Sequence, residues 1–114
     1  MQAEMQLKFN EVNYTLEILK KHIDWDSSII RLNELELLIE SPKFWDDAAK
    51  AQLVMKDKKN LEKTIEIIKG VEIEKLNLVE LLNLAEQESD EDLIDDTVLQ
   101  IKDLLKKCNK LQLE

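Results

Sequence analysis

Glycine and proline are almost missing from this sequence, with one of each in 114 residues. A chain so poor in turn-formers cannot make the many tight reversals that sheets need, which leaves long helices as its natural architecture. Aromatic residues are scarce as well, at 4%, so any core must be built from Leu, Ile, Val and Met. A single cysteine excludes an internal disulfide and fits a reducing, cytoplasmic setting. One histidine and one cysteine fall short of the four N/S ligands of a structural zinc site. The lone glycine also rules out a glycine-rich loop that cradles phosphate. No apolar run nears the ~20 residues of a membrane span. The first ten residues have neither the basic nor the apolar region of a secretory signal.

What is present is charge and aliphatic surface. Charged residues make up 36% and hydrophobic residues 44%, so the chain is neither disordered nor membrane-embedded, and 1–114 reads as one domain. The formal net charge is −9. Lys and Arg are interleaved with Asp and Glu along the chain, so nucleic acid is a poor candidate for a direct ligand, while a basic protein surface suits it.

The apolar residues recur at helical spacing. Met5, Phe9, Val12, Leu16, Leu19 and Ile23 alternate by four and three, the seam of a coiled-coil-like helix over about 2–22. Asp24-Trp25-Asp26-Ser27-Ser28 holds N-cap residue types, and Ile29, Leu32, Leu35 (or Glu36) and Ile39 then line a second helix over about 27–40, its face widened by Ile30, Leu37 and Leu38. The short link predicts an antiparallel hairpin of these two helices. Pro42 disfavours helix at Ser41, and Asp46 and Asp47 supply a cap and first-turn charge for a third helix. Its seam runs through Val54, Leu61, Ile65 and Ile68, then Leu76, Val79 and Leu82. A glycine inside a helix costs only ~1 kcal/mol, so the third helix is read as continuous through Gly70, over about 46–87, on the order of 60 Å long; a break into two helices is the alternative. Ser89 as cap and acids at 90–92 start a fourth helix over about 90–112, with Ile94, Val98, Ile101, Leu105, Cys108 and Leu111 as its seam. The fold class is therefore all-α, an antiparallel bundle of about four helices with a long third one.

The sequence offers little to catalysis. Cys108 sits on a hydrophobic seam and reads as a buried, inert thiol. His22 closes a helix and reads as a partner of the helix dipole or as a surface residue. The acidic run through Glu86, Glu88, Asp90, Glu91, Asp92, Asp95 and Asp96 lacks the glycine-containing calcium loop; it reads as helix capping and a solvated face, with an acidic tip for a basic partner as the sharper alternative, through Glu88, Asp90 and Glu91. No catalytic residue, metal ligand or cofactor is assigned. Both tryptophans lie at inter-helix corners. Trp45, beside Phe44, reads as a plug over the end of the bundle. Trp25 divides evenly between such a plug and an exposed interface anchor.

The corner Ser41-Pro42-Lys43-Phe44-Trp45-Asp46-Asp47, followed by Ala51-Gln52 and Leu61, resembles the signature near the N-terminus of the bacterial release factor 2 family. There a Pro-x-Phe/Val-Trp corner joins the second and third helices. Upstream, Asp24, Arg31, Leu32, Leu35 and Glu36 match the family's second helix, and the stretch from Leu81 to Glu91 looks like its Leu-rich turn into an acidic loop. The resemblance covers about 10–114 and marks Pro42, Phe44, Trp45 and Asp46 as the signature corner.

By that resemblance the chain is the first, helical domain of a termination factor that reads UAA and UGA. The Ser-Pro-Phe and Gly-Gly-Gln motifs of the family's other domains do not occur in it, so it is read as a fragment or a truncated product, without catalysis of its own. The resemblance implies a position at the stalk base of the large ribosomal subunit, against ribosomal protein more than RNA, and communication with the class II release-factor GTPase. It implies no small-molecule substrate and no membrane. A different class of reading is a stand-alone coiled-coil structural protein that self-associates through the seam of the first helix.

Overall fold

The computed structural model describes residues 1–113, so Glu114, the last residue of the expected domain, lies outside the described part. Helix α1 runs Ala3–His22 and α2 runs Trp25–Glu40. A 3-10 turn, Pro42–Asp46, leads into α3, Ala48–Gln87, and α4 spans Glu91–Leu113. No strand occurs among the described residues. The all-α architecture and its long third helix are as the apolar spacing predicts, and α3 passes through Gly70 unbroken.

The chain divides into two compact units, one of Met1–Leu19 with Ile68–Glu114 and one of Lys20–Ile67. In the first unit three helices pool their seams. Met5, Phe9, Val12 and Leu16 of α1 are buried together with Ile68, Val71, Leu78, Leu82 and Ala85 of α3 and with Ile101, Leu104 and Cys108 of α4. Each set advances by threes and fours, apart from one seven-residue step from Val71 to Leu78, and that repeat keeps one stripe of a helix facing a partner. Two polar pairs fix the direction of α1 against α3. Lys75 Nζ donates to Asn13 Oδ1 at 2.8 Å, and the Met1 ammonium lies 3.5 Å from Glu86; numbers rise on one helix as they fall on the other. Helix α4 folds back on α3 through a three-residue link, and Lys107 meets Glu74 at 3.8 Å.

The turn between α3 and α4 is built differently from the Ser89 cap read from the sequence. Ser89 sits in the left-handed region at φ 52. Its N–H donates to the Glu86 carbonyl at 3.2 Å, and the Asp90 N–H to the Ala85 carbonyl at 3.0 Å, the paired bonds of a Schellman ending. The cap of α4 is Asp90, whose Oδ1 accepts from the Leu93 N–H at 3.1 Å. The seam past Gly70 also differs: Leu76 is 56% exposed, and Val71 and Leu78 take the core positions. Continuing one register in the sequence cannot reveal that choice, because Leu76 and Leu78 are both leucines two residues apart.

In the second unit α2 lies along the first part of α3, with Arg31 and Leu35 beside Asp57, Asn60, Leu61 and Thr64. This α2–α3 pairing is the helical hairpin of the unit. Leu35 is buried, whereas Ile30, Leu37 and Leu38 are exposed; they do not widen the core face. Helix α2 begins at Trp25, two residues earlier than predicted, because Asp24 turns left-handed at φ 52 and makes no side-chain cap. Ser28 Oγ instead donates to the Ile23 carbonyl at 2.6 Å.

Candidate docking surface

The corner between α2 and α3 is set by three residues with separate tasks. Pro42 opens the 3-10 turn, where its fixed φ suits a first helical position and its missing N–H costs nothing. Phe44 is buried at 8% exposure and meets Trp45 edge-on, with ring centroids 4.8 Å apart. Trp45 is 55% exposed, which corrects its reading as a plug: Phe44 fills the corner, and Trp45 lies outside it. Its indole N–H donates to the Ile39 carbonyl at 3.1 Å, satisfying an acceptor that the end of α2 leaves open. Asp46 is the last residue of the turn and is exposed. The α3 cap falls on Asp47, whose Oδ1 accepts from the Lys50 N–H at 3.1 Å, so α3 starts at Ala48.

The outer face of Trp45 borders a shallow groove with Ala48, Ala51, Gln52 and Met55. Past Met55 the same side of α3 continues into a dip lined by Lys56, Lys58, Lys59 and Glu62. Lys58 is tied to Glu62 one turn on. That hydrogen bond raises the Lys58 ammonium above its ordinary pKa; burial pulls the other way, and the Glu62 and Glu36 charges add to the rise. Trp25, in the same unit, is half-buried, with the Lys20 ammonium 4.9 Å from its ring centroid. The ring is therefore covered on one face by a cation.

Glu88, Asp90 and Glu91 belong to the first unit and are exposed. Asp90 spends one oxygen on the α4 cap, and Glu86 pairs with the Met1 ammonium, so part of the acidic run is spent on helix ends. The two charge signs are less evenly spread than their order along the chain suggests. Residues 70–99 hold ten Asp and Glu against one lysine, while residues 50–69 hold six lysines against three acids. Sequence reading missed this because it averaged charge over the chain instead of grouping it by helix.

Cys108 is fully buried. Loss of solvent pushes its thiol above the ordinary value; Lys107 lowers it and Glu74 raises it further. A raised thiol pKa is the reverse of what a nucleophilic cysteine needs. His22 is exposed at the end of α1. Among the described residues no group of three or more His, Cys, Asp or Glu converges to hold a metal ion. No helix among them is long and apolar enough to cross a membrane.

Fold and surface together define an all-α helical bundle with an exposed tryptophan, Trp45, at an inter-helix corner. Residues 29–114 match the model of the PCRF domain, and the chain belongs to that family. It is 34% identical over 114 residues to peptide chain release factor 2 of Paramagnetospirillum magneticum, a match covering 100% of this chain and 31% of that protein. Peptide chain release factor 2 of Ruegeria sp. is 31% identical over 100% of this chain and 30% of its own length. That of Caulobacter vibrioides is 35% identical over 91 residues, 80% of this chain and 24% of the relative. The resemblance carried by the 41–47 corner is thus borne out, for a chain that matches 24% to 31% of the length of these relatives.

Proposed function

We propose that this chain is the helical accessory part of a translation termination factor and positions that factor on the large ribosomal subunit at the stalk base. The observation that carries the reading is the PCRF match over residues 29–114, joined to relatives named peptide chain release factor 2. Stop-codon reading at UAA and UGA and peptide release belong, in this reading, to other parts of the factor; the chain itself does no chemistry. A fully buried thiol with a raised pKa agrees with that. The acidic stretch of residues 70–99 repels phosphate and suits a basic ribosomal protein better than RNA. The class II release-factor GTPase is the second partner, and the cytoplasm is the compartment.

The test is co-sedimentation of the 114-residue chain with purified large subunits that contain or lack their stalk-base protein. Binding to the complete subunit and its loss from the depleted one is the expected outcome. Equal pelleting with both would remove the stalk base from the reading. Peptide release from termination complexes by the chain alone would remove the assignment of chemistry to other domains.

A further inference from the structure

We propose that the strip from Trp45, in the 3-10 turn, along the first part of α3 to Lys63 is a docking groove for an acidic protein segment that brings an apolar anchor. Residues 48, 52, 55, 59 and 62 follow one another by fours and threes, so the Trp45 groove and the lysine-lined dip beyond Met55 form one strip along the helix. The strip is apolar at one end and basic at the other.

At the apolar end, Trp45 is held in advance. Its only polar group already donates to Ile39 and its ring meets Phe44 in a T-shaped contact, so what it offers is ring surface at little cost in ordering. Ala48 and Ala51 are small and leave room beside the ring; Met55 is pliable and adapts to an aliphatic or aromatic guest. At the basic end, Lys56, Lys59 and Lys63 are exposed and lie three and four residues apart on one ridge. Lys58 is occupied by Glu62, which leaves that ridge to face a partner. These lysines stand out against a chain whose net charge is −9.

The chemistry favours an acidic peptide over RNA. The ridge carries no arginine for bidentate phosphate contacts. An amphipathic helix or strand with Asp or Glu beside a Leu, Ile or Phe fits both ends at once. The groove stands independently of the ribosomal reading, since its occupancy is measured without a ribosome.

The test uses the 114-residue chain carrying Trp25→Phe, so that Trp45 is the only tryptophan reporting. The probe is a synthetic amphipathic helical peptide with Leu and Phe on one face and Asp and Glu at its flanks. Two controls replace its acids by lysine or its apolar residues by serine. The expected result is a change in Trp45 emission on binding, with each control weaker by about tenfold or more. The triple variant Lys56→Glu, Lys59→Glu, Lys63→Glu loses a similar factor and most of the salt dependence, with unchanged helicity because all three lysines are exposed. No binding of the acidic peptide, equal binding of the lysine peptide, or an indifferent triple variant overturns the proposal. So does a single-stranded RNA oligonucleotide that binds more tightly than the peptide and is lost in the same variant, which would make the ridge a nucleic-acid surface.

Discussion

The indole N–H of Trp45 reaches back 3.1 Å to the main-chain carbonyl of Ile39. One side chain thus satisfies the open end of α2 from the far side of the corner, while its ring stays mostly in solvent. Removing only the donor isolates that bond. Trp45→Phe keeps an aromatic edge against Phe44 and should cost about 0.5–1 kcal/mol, the usual net value of a hydrogen bond at a partly exposed site. Trp45→Ala also removes the ring contact and should cost about 1–2.5 kcal/mol. Urea denaturation followed by circular dichroism measures both. Equal losses for the two variants would mean that the bond contributes nothing and that packing alone holds the corner.

Gly70 interrupts a 40-residue helix without breaking it. Its φ is not positive, it is exposed, and a Cβ built on it meets nothing within 4 Å. No turn or close approach requires glycine there, so Gly70→Ala should raise stability by about 0.5–1 kcal/mol through helix propensity alone. The thermal midpoint and the amide-exchange protection of the turns around residue 70 should both rise. A loss on substitution would show that a partner approaches the helix at this point.

Helix number, order and the long α3 were legible from apolar spacing and from the few breakers, because both follow from local rules. The seam residues Met5, Phe9, Val12 and Leu16 were also legible, and their burial inside the first unit uses up the surface that self-association through α1 would need. Thr97 was not. It is fully buried on α4, where its hydroxyl donates to the Leu93 carbonyl at 2.7 Å, and a hydroxyl that satisfies itself locally can occupy a core position that a sequence reader gives to the neighbouring Val98. The exposure of Ile30, Leu37 and Trp45 was hidden for a related reason. Hydrophobicity says what a residue gains by burial, not whether a partner helix is available on that side. The lysine ridge beside Met55 becomes visible only once residues 50–69 are wrapped on one helix.

Ser89 holds the α3–α4 turn in a left-handed conformation that a residue with a Cβ pays for. The two backbone bonds of that turn, to Glu86 and Ala85, need the conformation and not the serine side chain. Ser89→Gly should therefore stabilise the chain by about 0.5–1 kcal/mol, the relief of strain reduced by the greater freedom of glycine when unfolded. Ser89→Val should destabilise it by at least as much. Asp24→Gly, in the other left-handed link, should behave like Ser89→Gly, and the two gains should add because the turns share no partner. Urea midpoints of the three single variants and of the double variant Asp24→Gly, Ser89→Gly test the series.

Cys108 makes the stability of the bundle depend on alkaline pH, and the direction follows from burial. An unfolded thiol ionises near pH ~8.5, while desolvation in the folded chain keeps this one protonated to higher pH. Between those values the unfolded chain binds fewer protons than the folded one, so stability is complete below the unfolded pKa and falls as pH rises towards the folded value. The urea midpoint should therefore decline more steeply from about pH 8 to pH 10 in the wild type than in Cys108→Ala, which has no thiol to titrate. Lysine and N-terminal titrations are common to both proteins and cancel in the comparison. The alanine variant should be less stable at neutral pH by about 1 kcal/mol, the cost of a small cavity, and the two curves should converge as the pH rises. Maleimide should label Cys108 at a rate limited by opening of the α4 seam, and mild denaturant should speed the reaction. Parallel pH profiles together with immediate labelling would show a thiol in contact with water, contrary to its place between Ile101, Leu104 and the facing helices.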